Sequence, residues 1–376
     1  MIEFLNYLLN GLSLGCIYAL IAVGYSMVYG IIKLINFAHG EFYMFGAFVG
    51  YFILVAFFGG YPNGPDLSAT AIFLAVAGAG LATGILAVIV ERLVYRPLRN
   101  AGRIVALLAA LGVSLFMQNA GQQTAGAKPR SFPHTITSQR FPRTAVEPAE
   151  LKAGMVAETD ISIVYKRQVK GGEATEVENL ATRGNKITGD DIKRMEVTLA
   201  TAKKEGMDAA VYRYPAVTVT NKQGMILFTL IVISIVLFVL VQHTRFGRAM
   251  RAVSHDFEAA SLMGIDVNRI VAATFFVGAM VAGIGGTLGG GIYYGNGVEP
   301  LMGLMPGLKA FVAAVFGGIG SIPGALAGGV LLGTFEKLVE AYFSSLYSDA
   351  FTFAILILVL VIRPSGLLGR PLTDKV

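Results

Sequence analysis

Seven apolar windows, at 6–29, 42–60, 69–90, 104–124, 225–243, 270–294 and 346–362, uncharged but for Asp349 in the last, decide what this chain can fold into. A helix needs about 20 apolar residues to cross roughly 30 Å of hydrocarbon, and each window is close to that length. The chain as a whole is 55% hydrophobic and 14% charged, whereas a soluble domain carries about 25% charged residues. The expected fold is therefore all-α, a polytopic integral membrane bundle. The first window follows Glu3 and runs on to Lys33 with no basic segment before it. That is too long for a cleaved signal, so it is read as a retained span. Gly59, Gly60, Pro62, Asn63, Gly64 and Pro65 are expected to turn the second and third spans into a helical hairpin.

Short-loop Lys and Arg set orientation. The link 91–103, ERLVYRPLRNAGR, carries Arg92, Arg96, Arg99 and Arg103 against one glutamate and is assigned to the cytoplasm. Two spans later the loop 245–269, with Arg245, Arg248, Arg251 and Arg269, falls on the same side. Counting back puts Lys33 inside and the N-terminus outside. One window, 310–335, does not fit as a single span, because it would place Glu336, Glu340 and Asp349 inside and Arg363, Arg370 and Lys375 outside. A break at Gly317, Gly318, Gly320, Pro323 and Gly324 repairs both assignments. It leaves a segment of 308–321, about 21 Å long at 1.5 Å per residue, as a half-helix or re-entrant element, followed by a helix over about 322–343. The total is about eight to nine membrane segments, counted by the same length rule.

A second broken element is read at 30–46, GIIKLINFAHGEFYMFG, where Asn36, His39, Gly40 and Glu41 separate two apolar stretches. Interrupted segments in both halves of a transporter point to a substrate path, so these four residues and Gly317 and Gly318 are the candidate path residues. Half-helix N-termini suit a carboxylate, and Asn36 and Glu41 suit an ammonium group. The loop 245–269 holds the other candidate site. Ser254 is expected to N-cap a short helix with Asp256 and Glu258 in its first turn and Gly264 as its left-handed stop. Val253, Phe257, Ala260 and Gly264 fall at helical spacing, an apolar face small enough for a groove on another protein.

The GxxxG pairs Gly285/Gly289, Gly286/Gly290 and Gly329/Gly333 are read as packing surfaces, within the bundle or with a second membrane subunit. The organisation is then a membrane half at 1–127, a hydrophilic extracytoplasmic insertion at 128–222, and a second membrane half at 223–376. The insertion shows a strand at 161–167, a Gly171-Gly172 turn and a helix at 190–204, as a small folded domain or an ordered extension. Cys16 is the lone cysteine and the four histidines are scattered, which gives no metal site and no disulfide framework. No P-loop occurs. No catalytic residue is assigned, no basic run interleaved with aromatics points to nucleic acid, and ionisable groups in the spans are too few for an ion-coupled pump.

Glu258-Ala259-Ala260 followed by Gly264 resembles the EAA loop of ABC importer permeases, the cytoplasmic coupling helix that docks on an ATPase. The longer motif's later Ile-x-Leu-Pro is missing, as in the branched-chain amino acid (LivH-type) permeases. The stretches GLSLGCIYALIAVGYSMVYGIIKLINFAHGEFYMFGAF at 11–48, Arg-Pro-Leu-Arg at 96–99, GGIGSIPGALAGG at 317–329 and RPSGLLGR at 363–370 are similar to the same family. The likeness covers roughly 1–124 and 225–376 and leaves out most of the insertion. It implies a bacterial inner-membrane half-pore surrounded by lipid. Its partners would be a second homologous permease, two cytoplasmic ABC ATPase subunits and a periplasmic amino-acid-binding protein. The chain itself would need no cofactor, since ATP is hydrolysed by the partner subunits. Arg248, Arg251, Phe257, Glu258, Ala259, Ala260 and Gly264 would form the ATPase-coupling surface. The alternative is a self-sufficient secondary carrier or channel for a small polar solute such as urea or an amide.

Overall fold

The apolar windows become helices. In chain order they are α1 (Ile2–Ile32), α2 (His39–Phe58), α3 (Ala69–Val90) with a π-helical continuation Glu91–Tyr95, and α4 (Arg103–Ala125). The insertion contributes β1 (Arg140–Phe141), β2 (Thr144–Val146), β3 (Asp160–Val169), β4 (Gly172–Ala181), α5 (Gly189–Lys204), β5 (Ala209–Tyr214) and β6 (Val219–Thr220). Then follow α6 (Asn221–His243), α7 (Arg245–His255), α8 (Phe257–Leu262), α9 (Val267–Gly285) with a π-helical continuation Gly286–Tyr293, α10 (Leu304–Gly317), α11 (Ile322–Tyr342) and α12 (Ser348–Ile362). The computed structural model describes residues 2–59, 66–99, 101–133, 137–157, 159–169, 172–183, 185–204, 207–215, 217–293, 297–363 and 365–369. The link 60–65, Gly171 of the expected turn, and Arg370 and Lys375 of the tail lie outside the described residues.

Among the described residues, 8 helices are long and apolar enough to cross a membrane, and Leu304–Gly317 is a shorter apolar helix. The protein is thus a polytopic helical membrane protein. The break in 310–335 falls at 318–321, between α10 and α11, where Gly318 (φ 111°) and Gly320 (φ 89°) hold left-handed backbone and Ser321 caps α11 through the Gly324 amide at 3.2 Å. The half-helix begins at Leu304, earlier than the expected 308, and Lys309 lies on its buried face.

The chain divides into two compact units, one of Tyr7–Ile53, Phe73–Phe132 and Ile226–Val376, the other of Met1–Asn6, Leu54–Ile72 and Pro133–Met225. In lipid, apolar side chains gain little by leaving the hydrocarbon, so close backbone packing must hold the first unit together. Its glycines meet that need. A Cβ on Gly15 would lie 2.6 Å from the Val330 carbonyl oxygen, and one on Gly11 would lie 2.6 Å from the Thr334 Cα, so α1 and α11 cross at backbone contact. Gly329 and Gly333 pack from the other side onto Ala19 and Gly15, and Gly286 onto Tyr43. These GxxxG surfaces are used inside the bundle.

The second unit is built around an antiparallel sheet ordered β2-β5-β3-β4. Ile161, Ile163 and Val211 from the sheet and Met195 from α5 form its buried core with Leu180 and Ile187, each side chain contributing about 1.5–3 kcal/mol by burial. The insertion is therefore a folded sheet-and-helix body, with β3 and α5 at the positions of the expected strand and helix. Thr188 and Asp191 open α5 with a reciprocal cap: the Thr188 amide donates to Asp191 at 2.9 Å and the Asp191 amide to the Thr188 hydroxyl at 3.2 Å. Hydrogen bonds from the Thr188 hydroxyl and amide hold the Asp191 carboxyl below its ordinary pKa.

Candidate functional site

Lys33 ends α1 in left-handed backbone (φ 58°), an unusual conformation for a side-chain-bearing residue. The chain then crosses to α2 through Asn36, which is buried. Asn36 Oδ1 accepts the Ala38 amide at 3.1 Å and the Tyr95 hydroxyl at 2.6 Å, and the Asn36 carbonyl accepts the His39 amide at 3.0 Å. Asn36 is thus the fastening at the start of α2. His39 is buried with its ring 4.6 Å from that of Tyr25 and 5.8 Å from that of Phe42, centroid to centroid. It packs on Gly24, where a side chain would collide with the imidazole.

Two residues further on, Glu41 is 1% exposed. Its Oε1 accepts from Ser114 Oγ at 2.9 Å and from Gln118 Nε2 at 2.7 Å. Its Oε2 is buried with no hydrogen-bond partner among the described residues. A buried carboxylate oxygen without a donor costs several kcal/mol if charged, so this atom calls for a proton or a cationic ligand. Ser114 and Gln118 lie one turn apart on the inner face of α4. Their spacing within an apolar window is a readable signal that attention to charge alone passes over.

The two broken elements meet. Gly40 faces the start of α10: a Cβ there would lie 2.6 Å from the Gly303 carbonyl oxygen and 2.9 Å from the Gly307 Cα. Gly30 lies less closely against Gly320, where an added Cβ would make ordinary contact at 3.7 Å with the carbonyl oxygen. Two helix N-termini, those of α2 and α10, therefore converge beside Glu41, and that of α10 has no side-chain cap. Such termini carry partial positive charge; at α2 the His39 and Glu41 amides bond the Asn36 and Ala38 carbonyls, and at α10 the Leu304 and Gly307 amides bond the Leu301 and Gly303 carbonyls. Gly317 and Gly318 stand at the other end of α10. There the returning tail covers them, with the Leu367 amide on the Phe316 carbonyl and the Leu368 amide on the Gly317 carbonyl, each at 2.9 Å. Sequence reading missed Lys309, a buried cation on α10 that bonds Glu336 at 2.7 Å and Asp349 at 2.6 Å.

The loop 245–269 holds two helices rather than one. Thr244 caps α7 through the Gly247 amide at 3.1 Å, and Arg251 donates to the Val241 carbonyl, tying α7 to the end of α6. The expected cap, Ser254, lies inside α7, where its hydroxyl donates to the Arg251 carbonyl at 2.8 Å. Asp256 takes the capping role instead, accepting the amides of Glu258 and Ala259 at 2.9 and 3.0 Å. Its carboxylate reaches both amides from extended backbone, a position from which Ser254, two residues earlier, is excluded. Gly264 (φ 82°) ends α8, with the Ile265 amide returning to the Ala260 carbonyl at 3.1 Å.

The expected apolar face is turned inward at Val253 and Ala260, both buried, with Phe257 half-buried. Arg248, Arg251, Glu258, Ala259 and Gly264 are exposed. Beside them Leu262 is 88% and Met263 83% exposed, two large apolar side chains at the tip of a charged loop.

The family model described as branched-chain amino acid transport system / permease component matches residues 7–360. The LivH permease protein of the high-affinity branched-chain amino acid transport system of Salmonella typhimurium is 36% identical over 373 residues, 99% of this chain and 98% of that protein. LivH of Escherichia coli K12 is 35% identical with the same coverage. BraD of Pseudomonas aeruginosa is 34% identical over 374 residues, 100% of this chain and 98% of that protein. No solved structure matches. With a family match over nearly its whole length and full-length relatives that are transport permeases, the chain belongs to the family of permease components of branched-chain amino acid transport systems.

Proposed function

We propose that this chain is one permease subunit of an ATP-driven importer for branched-chain amino acids in a bacterial inner membrane. It supplies half of the translocation path and pairs with a second homologous permease. Two cytoplasmic ATPases drive it, and a periplasmic binding protein delivers the amino acid. The observation that carries this reading is the convergence of the α2 and α10 N-termini beside Glu41. The partial positive charge of the two helix starts suits a carboxylate and the partnerless Glu41 Oε2 suits an ammonium, which together match the two ends of a zwitterion. The exposed tip of α8, with Glu258, Ala259, Leu262 and Met263, is the ATPase-docking surface. The insertion contributes to docking of the binding protein, and unchanged uptake at limiting binding protein after 128–222 is trimmed to a short linker would refute that role.

Cargo is tested by competition. Labelled leucine uptake through the assembled system is expected to be displaced by isoleucine and valine and left unchanged by urea and acetamide. Displacement by urea or acetamide, with isoleucine and valine inert, would overturn the assignment.

A further inference from the structure

The loop 245–269 and the broken element at 30–46 are far apart in sequence, yet a chain of named contacts joins them. Asn268 lies in the first turn of α9, four residues past Gly264, and its Oδ1 accepts Arg99 Nη1 at 2.9 Å. The other arm of the same guanidinium, Nη2, donates to Glu91 Oε1 at 2.9 Å. Glu91 is fully buried and also faces Arg96 at 3.5 Å. Burial pulls the Arg99 pKa below its ordinary value, while Glu91 pushes it back up. Glu91 opens the π-helical turn Glu91–Tyr95, closed by the Arg96 amide on the Glu91 carbonyl at 2.7 Å. At its far end Tyr95 donates to Asn36 Oδ1 at 2.6 Å, the oxygen that fastens the start of α2. The Tyr95 ring rests 5.4 Å from that of Phe275, two turns along α9 from Asn268. One helix, α9, therefore reaches both ends of the π turn, Tyr95 directly through Phe275 and Glu91 by way of Arg99.

A pathway needs an element with two discrete arrangements. A π turn offers a route to a second arrangement. It holds one residue more than an α-helical turn, π turns recur at functional sites, and moving the extra residue along the helix rotates what it passes by about 100°. That rotation would carry the Tyr95 hydroxyl away from Asn36. A cavity of about 20 Å³ lined by Asn36, Glu91, Tyr95 and Arg99 lies beside it, a volume that holds one water.

We infer that Asn268, Arg99, Glu91, Tyr95 and Asn36 form a relay that carries movement of the 256–264 loop to the α2 N-terminus and Glu41. The π turn is its switching element. Arg99 and Tyr95 act as positioning residues. This rests on the proposed function, because the loop must receive movement from an ATPase.

The test uses the assembled importer in proteoliposomes, measuring leucine transported per ATP hydrolysed. Tyr95→Phe removes only a hydroxyl and keeps the ring on Phe275. Asn268→Ala removes the outer end of the relay. Each is expected to lower leucine per ATP by at least about five-fold, the lower end of typical coupling energies. ATPase content should stay unchanged, and the double variant should be no worse than the worse single. Arg99→Lys, which keeps the charge but cannot fork, should behave like Asn268→Ala. A merely structural role would reduce hydrolysis and uptake together and leave their ratio intact. Independently of transport, Asn268→Ala should speed hydrogen exchange at the 36–41 amides. Unchanged ratios and unchanged exchange, with Glu258→Lys still uncoupling, would overturn the relay and leave the proposed function standing. A wild-type complex that transports no leucine would overturn both.

Discussion

Lys309 Nζ lies 2.7 Å from Glu336 Oε1, a buried ion pair that fixes the half-helix α10 against α11. Asp349 reaches the same ammonium at 2.6 Å from the half-exposed start of α12. The pair sets the position of the α10 N-terminus, and with it the surroundings of Gly40 and Glu41. Breaking one side leaves a buried charge alone. Lys309→Met is expected to destabilise the protein by about 3–5 kcal/mol, read as a lower midpoint for thermal unfolding in detergent. The double variant Lys309→Met/Glu336→Leu should recover most of that loss. A single variant as stable as wild type would show that the pair holds nothing.

Gly40 has no room for a methyl group, because the atoms it would meet are backbone atoms of Gly303 and Gly307. Gly40→Ala is expected to push the two broken elements apart at a cost of about 1–3 kcal/mol. Uptake should be lost from protein that still reaches the membrane. Gly112, with nothing within 4 Å of an added Cβ, provides the comparison: Gly112→Ala should transport normally.

Glu41→Gln retains the size of the side chain and removes the charge offered by Oε2. The loss of a hydrogen bond to a charged group, about 1.5–3 kcal/mol, corresponds to at least a tenfold fall in uptake at low leucine concentration. Co-purification of the ATPase subunit should be unaffected. Normal uptake by this variant would remove Glu41 from the path.

On the cytoplasmic loop, Glu258→Lys and Gly264→Trp are expected to leave the protein in the membrane but separate ATP hydrolysis from transport. Leu262→Asp should weaken ATPase association in pull-down, since it alters an exposed tip rather than the core. Asp256→Ala removes the carboxylate oxygen that accepts the Glu258 and Ala259 amides, and with it about 1 kcal/mol, from a 6-residue helix. It should therefore act in the same direction as Leu262→Asp, and more weakly. Wild-type association and coupling in all four variants would return the loop to a topogenic role.

The spans were legible because a 20-residue apolar window has one physical solution in a bilayer. The break at 318–321 was legible because charge placement excluded a continuous span. The two stretches assigned to one side by their arginines, 91–103 and 245–269, touch through Arg99 and Asn268. Other features were hidden. Which oxygen caps α8 depends on backbone geometry at Asp256 that composition does not encode, so Ser254 looked equally suited. Glu41 is visible as a lone carboxylate, but its partners Ser114 and Gln118 are more than 70 residues away in sequence. Tyr95 sits on a π turn, which leaves no mark in a hydrophobic pattern. The sheet of the insertion was only partly visible, in β3, because its other strands are short or strongly charged.

The most direct measurement is leucine uptake into proteoliposomes with and without the partner subunits. If this chain is half of an ATP-driven path, uptake requires the second permease, the ATPases, the loaded binding protein and ATP, and omission of ATP abolishes it. Leucine uptake by this chain alone, without ATPase subunits or ATP, would contradict the account and make the chain a carrier or channel in its own right.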